Sequence, residues 1–224
     1  MKRFFIFFAV SAFYFTAAYS QSHISMQSHQ NAVTAIAALE IGSAAYENSY
    51  FSAGQDGFLI KWTEDGAGEH YQLSDLEIRF AARSPNGTDI AVYETDGGLV
   101  NRVSVWNWST LTRKYAKRFS NAVTSLSFSE KGTYLIVGTA TVNGVVFLNA
   151  STGSQVTGKL KDSVGIITMA SSSSTENSIA LYSPAGSLSY FNLRTGRQKA
   201  RFQIMQGLNQ PVLFNNNVFF AGTD

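Results

Sequence analysis

Cysteine is absent from all 224 residues. That excludes disulfides, thiolate metal ligands and a cysteine nucleophile, so stability has to come from packing. Histidine is scarce as well: only His23, His29 and His70 occur. No two of them have zinc-motif spacing or stand beside a carboxylate cluster, so neither a metal site nor a cofactor is expected. Charged residues are few, at 14%, too few for a disordered tail, whereas the 45% that are hydrophobic supply ample core. Beyond the N-terminus no segment has a helical period, and no glycine-rich phosphate loop joins a strand to a helix.

The chain carries 17 Lys and Arg against 15 Asp and Glu, and loss of Lys2 and Arg3 with a leader would balance the two. A neutral chain without a basic run is a poor match for a nucleic-acid backbone, so no nucleic-acid partner is expected. The densest basic stretch, Arg113, Lys114, Lys117 and Arg118, reads as the solvated face of an outer strand.

Lys2 and Arg3 precede an apolar run from Phe4 to Ala18, the charge and length pattern of a secretory leader and short for a bilayer span. Ala18 and Ser20 supply the small residues of a cleavage site, so cleavage is expected between Ser20 and Gln21. The mature chain is then expected to be secreted or periplasmic, with no membrane attachment. Asn86-Gly-Thr88, Asn107-Trp-Ser109 and Asn149-Ala-Ser151 fit the glycosylation acceptor pattern, but each also falls in a turn that the fold itself requires.

What is present after residue 20 is repetition. Apolar strand openings recur at Val33, Ile78, Val123 and Ile167, and a second apolar anchor recurs at Trp62, Trp106, Leu148 and Phe191, each series at intervals of about 44 residues. A tight turn precedes every anchor: Asp56-Gly57, Asp96-Gly97, Asn143-Gly144 and Ala185-Gly186. Another follows it, at Asn107–Thr110, Asn149–Gly153 and Asn192–Gly196. Between these marks lie four runs of strand composition per unit, such as FLIKW, whose alternation places Phe58, Ile60 and Trp62 on one face. Four short antiparallel strands at this period make a propeller blade, and blades must stack on one another to bury both faces. The expected fold is therefore an all-β propeller with blades at 29–73, 74–119, 120–160 and 161–204 and a partial fifth at 205–224, the ring incomplete. The final Phe219–Asp224 matches Phe51–Asp56 of the first blade, so the chain reads as a fragment whose open edges favour self-association. Ile24–Gln27 reads as the last strand of a preceding blade.

The first blade also resembles the WD-repeat family, in which a His before the first strand, a Ser or Thr in the second, an Asp in the next turn and a Trp in the third form one set. His29, Ser52, Asp56 and Trp62 fall at that spacing. Blade two keeps Asp96 and Trp106, blades three and four replace the Trp by Leu148 and Phe191, and the His position becomes Ser74 and Phe119. The resemblance implies a structural hydrogen-bond network rather than a catalytic Ser-His-Asp triad, and no catalytic residue is assigned. It further implies a non-catalytic scaffold for a protein or peptide, with Gln55 and Thr95, the residues before the turn Asp, facing the rim. The alternative is a secreted propeller enzyme or small-molecule binder of the quinoprotein kind, with its site beyond residue 224.

Overall fold

The computed structural model describes residues 28–39, 49–63, 66–207, 209–214 and 217–221. The leader, its cleavage site, the strand read at Ile24–Gln27 and the final Asp224 lie outside them. Every regular element among the described residues is a strand.

The first sheet runs β1 (Val33–Leu39), β2 (Ser49–Gly54), β3 (Phe58–Trp62) and β4 (Gly68–Gln72) in simple antiparallel order. The second contains β5 (Glu77–Arg83), β6 (Asp89–Thr95), β7 (Asn101–Asn107) and β8 (Arg113–Arg118). The third contains β9 (Val123–Phe128), β10 (Tyr134–Thr139), β11 (Val145–Asn149) and the two-residue β12 (Gln155–Val156). The fourth contains β13 (Met169–Ser172), β14 (Ser178–Tyr182), β15 (Ser187–Asn192) and β16 (Gln198–Gln203). A final pair, β17 (Asn209–Phe214) and β18 (Asn217–Ala221), starts a fifth sheet. The first strands β1, β5, β9, β13 and β17 stand side by side, so the sheets are four propeller blades and part of another, arranged in an arc that does not close.

Blades are joined by apolar faces. Phe51, Ala53, Leu59 and Leu73 of blade one meet Ile78, Ile90, Val92 and Trp108 of blade two. Ala91, Tyr93, Val103 and Val105 then meet Val123, Leu135, Val137 and Leu148 of blade three, and Ile136 and Phe147 meet Ile167, Ile179, Leu181 and Phe191 of blade four. The alternation of strand side chains gives each sheet two such faces, one for each neighbour. The repeat extends to hydrogen bonds: Thr34 Oγ1 donates to the Ile78 carbonyl at 2.8 Å, and Thr124 Oγ1 to that of Ile167 at 2.6 Å, tying one first strand to the next.

The turns explain the recurring Asn. Asn149 Oδ1 accepts the amides of Ser151 and Thr152, and Asn192 Oδ1 those of Arg194 and Thr195, an Asx-type cap that reverses the chain. Gly153 and Gly196 end these turns at φ of 72° and 71°, yet blade two places Leu111 there at 49°. The turn between first and second strands does the same: Gly87 and Gly132 sit at 71° and 73°, whereas blade four uses Glu176 at 55°. Both side chains in the left-handed region are tied to a blade boundary, which offsets the backbone cost. Leu111 packs on the cluster between blades one and two, and the Glu176 carboxylate accepts the amides of Lys131 at 3.0 Å and Thr133 at 3.4 Å in blade three.

Blade three departs from the expected four full strands. β12 pairs with β11 only at Phe147 and Leu148, because Gly158 at φ 73° diverts the chain. The diverted segment donates the Lys161 amide to the Gly196 carbonyl at 2.8 Å, and the Asp162 carboxylate accepts the Gln198 amide at 2.8 Å, both in blade four.

Candidate functional site

In blade one the turn before β1, strand β2, the β2–β3 turn and strand β3 bring His29, Ser52, Asp56 and Trp62 into one chain of hydrogen bonds. The Trp62 indole donates to Ser52 Oγ at 2.8 Å. Ser52 Oγ donates in turn to His29 Nε2 at 2.8 Å, while Nδ1 of His29 donates to the Asp56 carboxylate at 3.0 Å. Asp56 also accepts the amides of Gln30 at 2.8 Å and Phe58 at 3.1 Å. The His29 and Asp56 side chains are 3% and 8% exposed. Burial alone pushes the Asp56 carboxyl up, but the His29 bond and the two amides outweigh it and hold it below the usual carboxylate range.

Ser, His and Asp thus stand in triad order, but the surroundings are those of a brace. Ser52 is 4% exposed, and its hydroxyl both accepts from the Trp62 indole and donates to His29. It lies mid-strand between Ile36 and Ile60, so its backbone is committed to the ladder and offers no oxyanion donor.

Blade two rebuilds the same connection from other residues, and sequence reasoning missed it. Trp106 donates to Ser104 Oγ at 2.8 Å, Ser104 to the Glu94 carboxylate, and Arg102 binds that carboxylate and reaches Ser74 Oγ at 3.3 Å. Ser74 occupies the His position of blade one, so this wire runs from the anchor Trp to that position through a carboxylate and a guanidinium, whereas in blade one it continues through His29 to Asp56. Glu94 is wholly buried, a state that a carboxylate tolerates only when paired and hydrogen-bonded. Asp96 no longer meets a His; it caps the amides of Gly98 and Val100 at 2.9 Å each, which keep its carboxyl below the usual range. In blades three and four Leu148 and Phe191 are fully buried anchors with no N–H to satisfy, so no such wire is required.

Of the two rim residues, Gln55 is half-buried and its amide bonds the Ala32 carbonyl at 2.9 Å. Thr95 is 5% exposed and its hydroxyl accepts the Gly97 amide at 3.0 Å, so it does not present its side chain at the rim. The exposed apolar side chain of that turn is Leu99, at 96%. In the antiparallel order of each sheet, the second-to-third-strand turns and the connections into the next blade share one end. On that end Leu99 is joined by Val142 at 80%, Met205 at 63% and Ile166 at 42%. The signal in the sequence was the lengthened turn Asp96-Gly-Gly-Leu-Val100, with an apolar residue where polar ones are usual. Among the described residues no group of His, Asp and Glu is placed to hold a metal ion.

A family model described as an N-terminal β-propeller domain matches residues 16–223. An uncharacterized protein of Treponema pallidum (strain Nichols) is 35% identical over 180 residues, which is 80% of this chain and 29% of that relative. The chain therefore spans less than a third of the length of the relative it matches.

Proposed function

The chain belongs to the family of N-terminal β-propeller domains, and from that membership we propose that it is a non-catalytic scaffold, of WD-repeat type, that binds a protein or peptide outside the cytoplasm. One observation carries the reading: Leu99, Val142, Met205 and Ile166 are exposed together on the turn end of consecutive blades. Single exposed apolar residues are ordinary, but several on one end of a rigid scaffold give a partner a surface to desolvate. The turns are fixed from beneath, by Asp96 at the Leu99 turn and by the Gly165 amide and Ser163 hydroxyl, which bond the Val142 carbonyl at 3.1 and 3.3 Å. Little ordering entropy is then left to lose on binding. The basic leader and apolar run before residue 20 support an extracytoplasmic site of action.

Photo-crosslinking residues placed at Leu99 and Val142 test this, with Asn86 at the opposite end as control. The reading expects one discrete adduct from both turn-end positions and none from the control, with the adduct from Leu99 lost when Val142→Asp is added. Equal capture at both ends, or none at either, refutes it.

A further inference from the structure

The turn end of blades two to four is built from residues 96–100, 119–122, 140–144, 163–168 and 183–186. The 163–168 stretch is the part of the β12–β13 connection that reaches the Val142 turn, through Ser163 and Gly165. Among these described residues Asp96 alone carries a charge, and its carboxylate is already engaged by the amides of Gly98 and Val100 at 2.9 Å. The nearest cation, Arg118, closes the outer strand β8. The opposite end of blades three and four is built differently: Glu130, Lys131, Arg194 and Arg197 are all exposed there. Loss of charge, more than gain of apolar area, marks the centre of a protein–protein interface.

What such a surface can take follows from its groups. Without Lys or Arg it cannot neutralise the phosphates of a nucleic acid or of anionic lipid headgroups. Gly97, Gly98, Ala122, Ala140 and Ala185 are exposed, and side chains that small leave their peptide groups open. Hydrocarbon cannot satisfy the peptide groups of irregular turns, and no Trp or Tyr of this end marks a bilayer interface. Another polypeptide supplies both what those peptide groups need and apolar side chains to cover Leu99, Val142 and Ile166, which are 96%, 80% and 42% exposed. A charged residue of that polypeptide would lose its water here and meet no countercharge.

We propose that the turn end takes an uncharged, apolar stretch of polypeptide and rejects segments that place Lys, Arg, Asp or Glu over Leu99, Val142 and Ile166. The proposal rests on the scaffold reading above and narrows it, because the missing countercharge excludes partners as firmly as the apolar side chains attract them.

Random peptides displayed on phage and selected on the full chain test this, those lost on Val142→Asp being kept as turn-end binders. Their centres are expected to be apolar and free of charge. The affinity of one such synthetic peptide, followed by fluorescence anisotropy, should change less than about twofold between about 0.02 and 0.5 M salt. A Glu placed at its centre should weaken binding at least about tenfold. Leu99→Lys supplies the missing countercharge, so it should bind the Glu peptide at least about tenfold better than the parent does. Leu99 is almost wholly exposed, and this variant should keep the parent's strand signal by circular dichroism. Turn-end binders with charged centres, or a Glu peptide that Leu99→Lys binds no better, overturn the proposal and leave the scaffold reading standing. Cosedimentation with phosphatidylcholine vesicles that Leu99→Lys abolishes assigns the end to a bilayer and overturns it too. Failure to select any turn-end binder overturns both readings.

Discussion

Replacing Glu176 by the glycine that its repeat position takes elsewhere should leave stability nearly unchanged, although removal of a left-handed side chain ordinarily helps. Glu176 sits at φ 55°, where blades two and three have Gly87 and Gly132. Its amide closes the same turn as theirs, onto Ser173 O at 2.8 Å. The left-handed conformation costs a side-chain-bearing residue about 1 kcal/mol. Against this, the carboxylate accepts two amides of blade three, at 3.0 and 3.4 Å. Charge-assisted bonds at a half-exposed group are together worth about 1 kcal/mol after screening. Glu176→Gly removes both effects and should come within about 0.5 kcal/mol of the parent. Glu176→Gln keeps the strain and loses the charge, so it should cost about 0.5–1 kcal/mol. Urea denaturation followed by circular dichroism at neutral pH distinguishes the two.

The gap between parent and Gln variant should also depend on pH. Burial pushes the Glu176 carboxyl up, but bonds from Ser129, Thr133 and the Lys131 amide outweigh it and hold it below the ordinary value of 4.5. The folded value lies below the unfolded one, so the contribution is complete above the unfolded value and disappears as pH falls through the folded one. A Glu176→Gly variant more stable than the parent by over about 1 kcal/mol would show that the carboxylate contributes nothing across the blade boundary. A Gln variant equal to the parent at neutral pH would say the same.

Ser52→Ala leaves the Trp62 N–H and the His29 Nε2 without partners and should cost about 2–3 kcal/mol in urea titration; a loss under about 0.5 would mean the network braces nothing. Glu94→Gln breaks the buried pair with Arg102 and should cost about 3 kcal/mol, while a Glu94→Leu/Arg102→Leu double variant should recover most of it; equal losses for single and double variants would refute the pairing. In Gly144→Ala the new Cβ falls 2.1 Å from the Gly165 carbonyl oxygen. Backbone has to move on both sides, so the variant should lose about 2–4 kcal/mol and a parent-like midpoint would contradict the contact.

The blades were legible in the sequence because their marks are local. Each depends on a turn of a few residues, and Asn149 or Gly57 performs its role whatever lies beyond the next strand. The four-residue set of blade one was legible for the same reason, being contained within residues 29–62. The blade-two wire was not. Glu94 and Arg102 read as residues of a half-exposed strand, and only the register that places them opposite each other turns them into a buried pair. Leu111 and Glu176 break the glycine pattern, and what holds them is packing at a blade boundary for Leu111 and two amides of blade three for Glu176. The candidate site was the least legible part, because Thr95 spends its hydroxyl on its own turn and the outward position passes to Leu99, further along the same lengthened turn.

The segment diverted at Gly158 has a consequence for how the arc comes apart. In a repeat array each unit can in principle melt on its own, with only the interface to its neighbour at stake. Here one stretch of chain leaves β12, bonds the third-to-fourth-strand turn of blade four through Lys161 and Asp162, and returns to bond the Val142 turn of blade three. Neither sheet can separate from the other without stripping that stretch from both. Blades three and four are therefore one cooperative unit, and their amides should lose protection from hydrogen exchange together, in a single opening event.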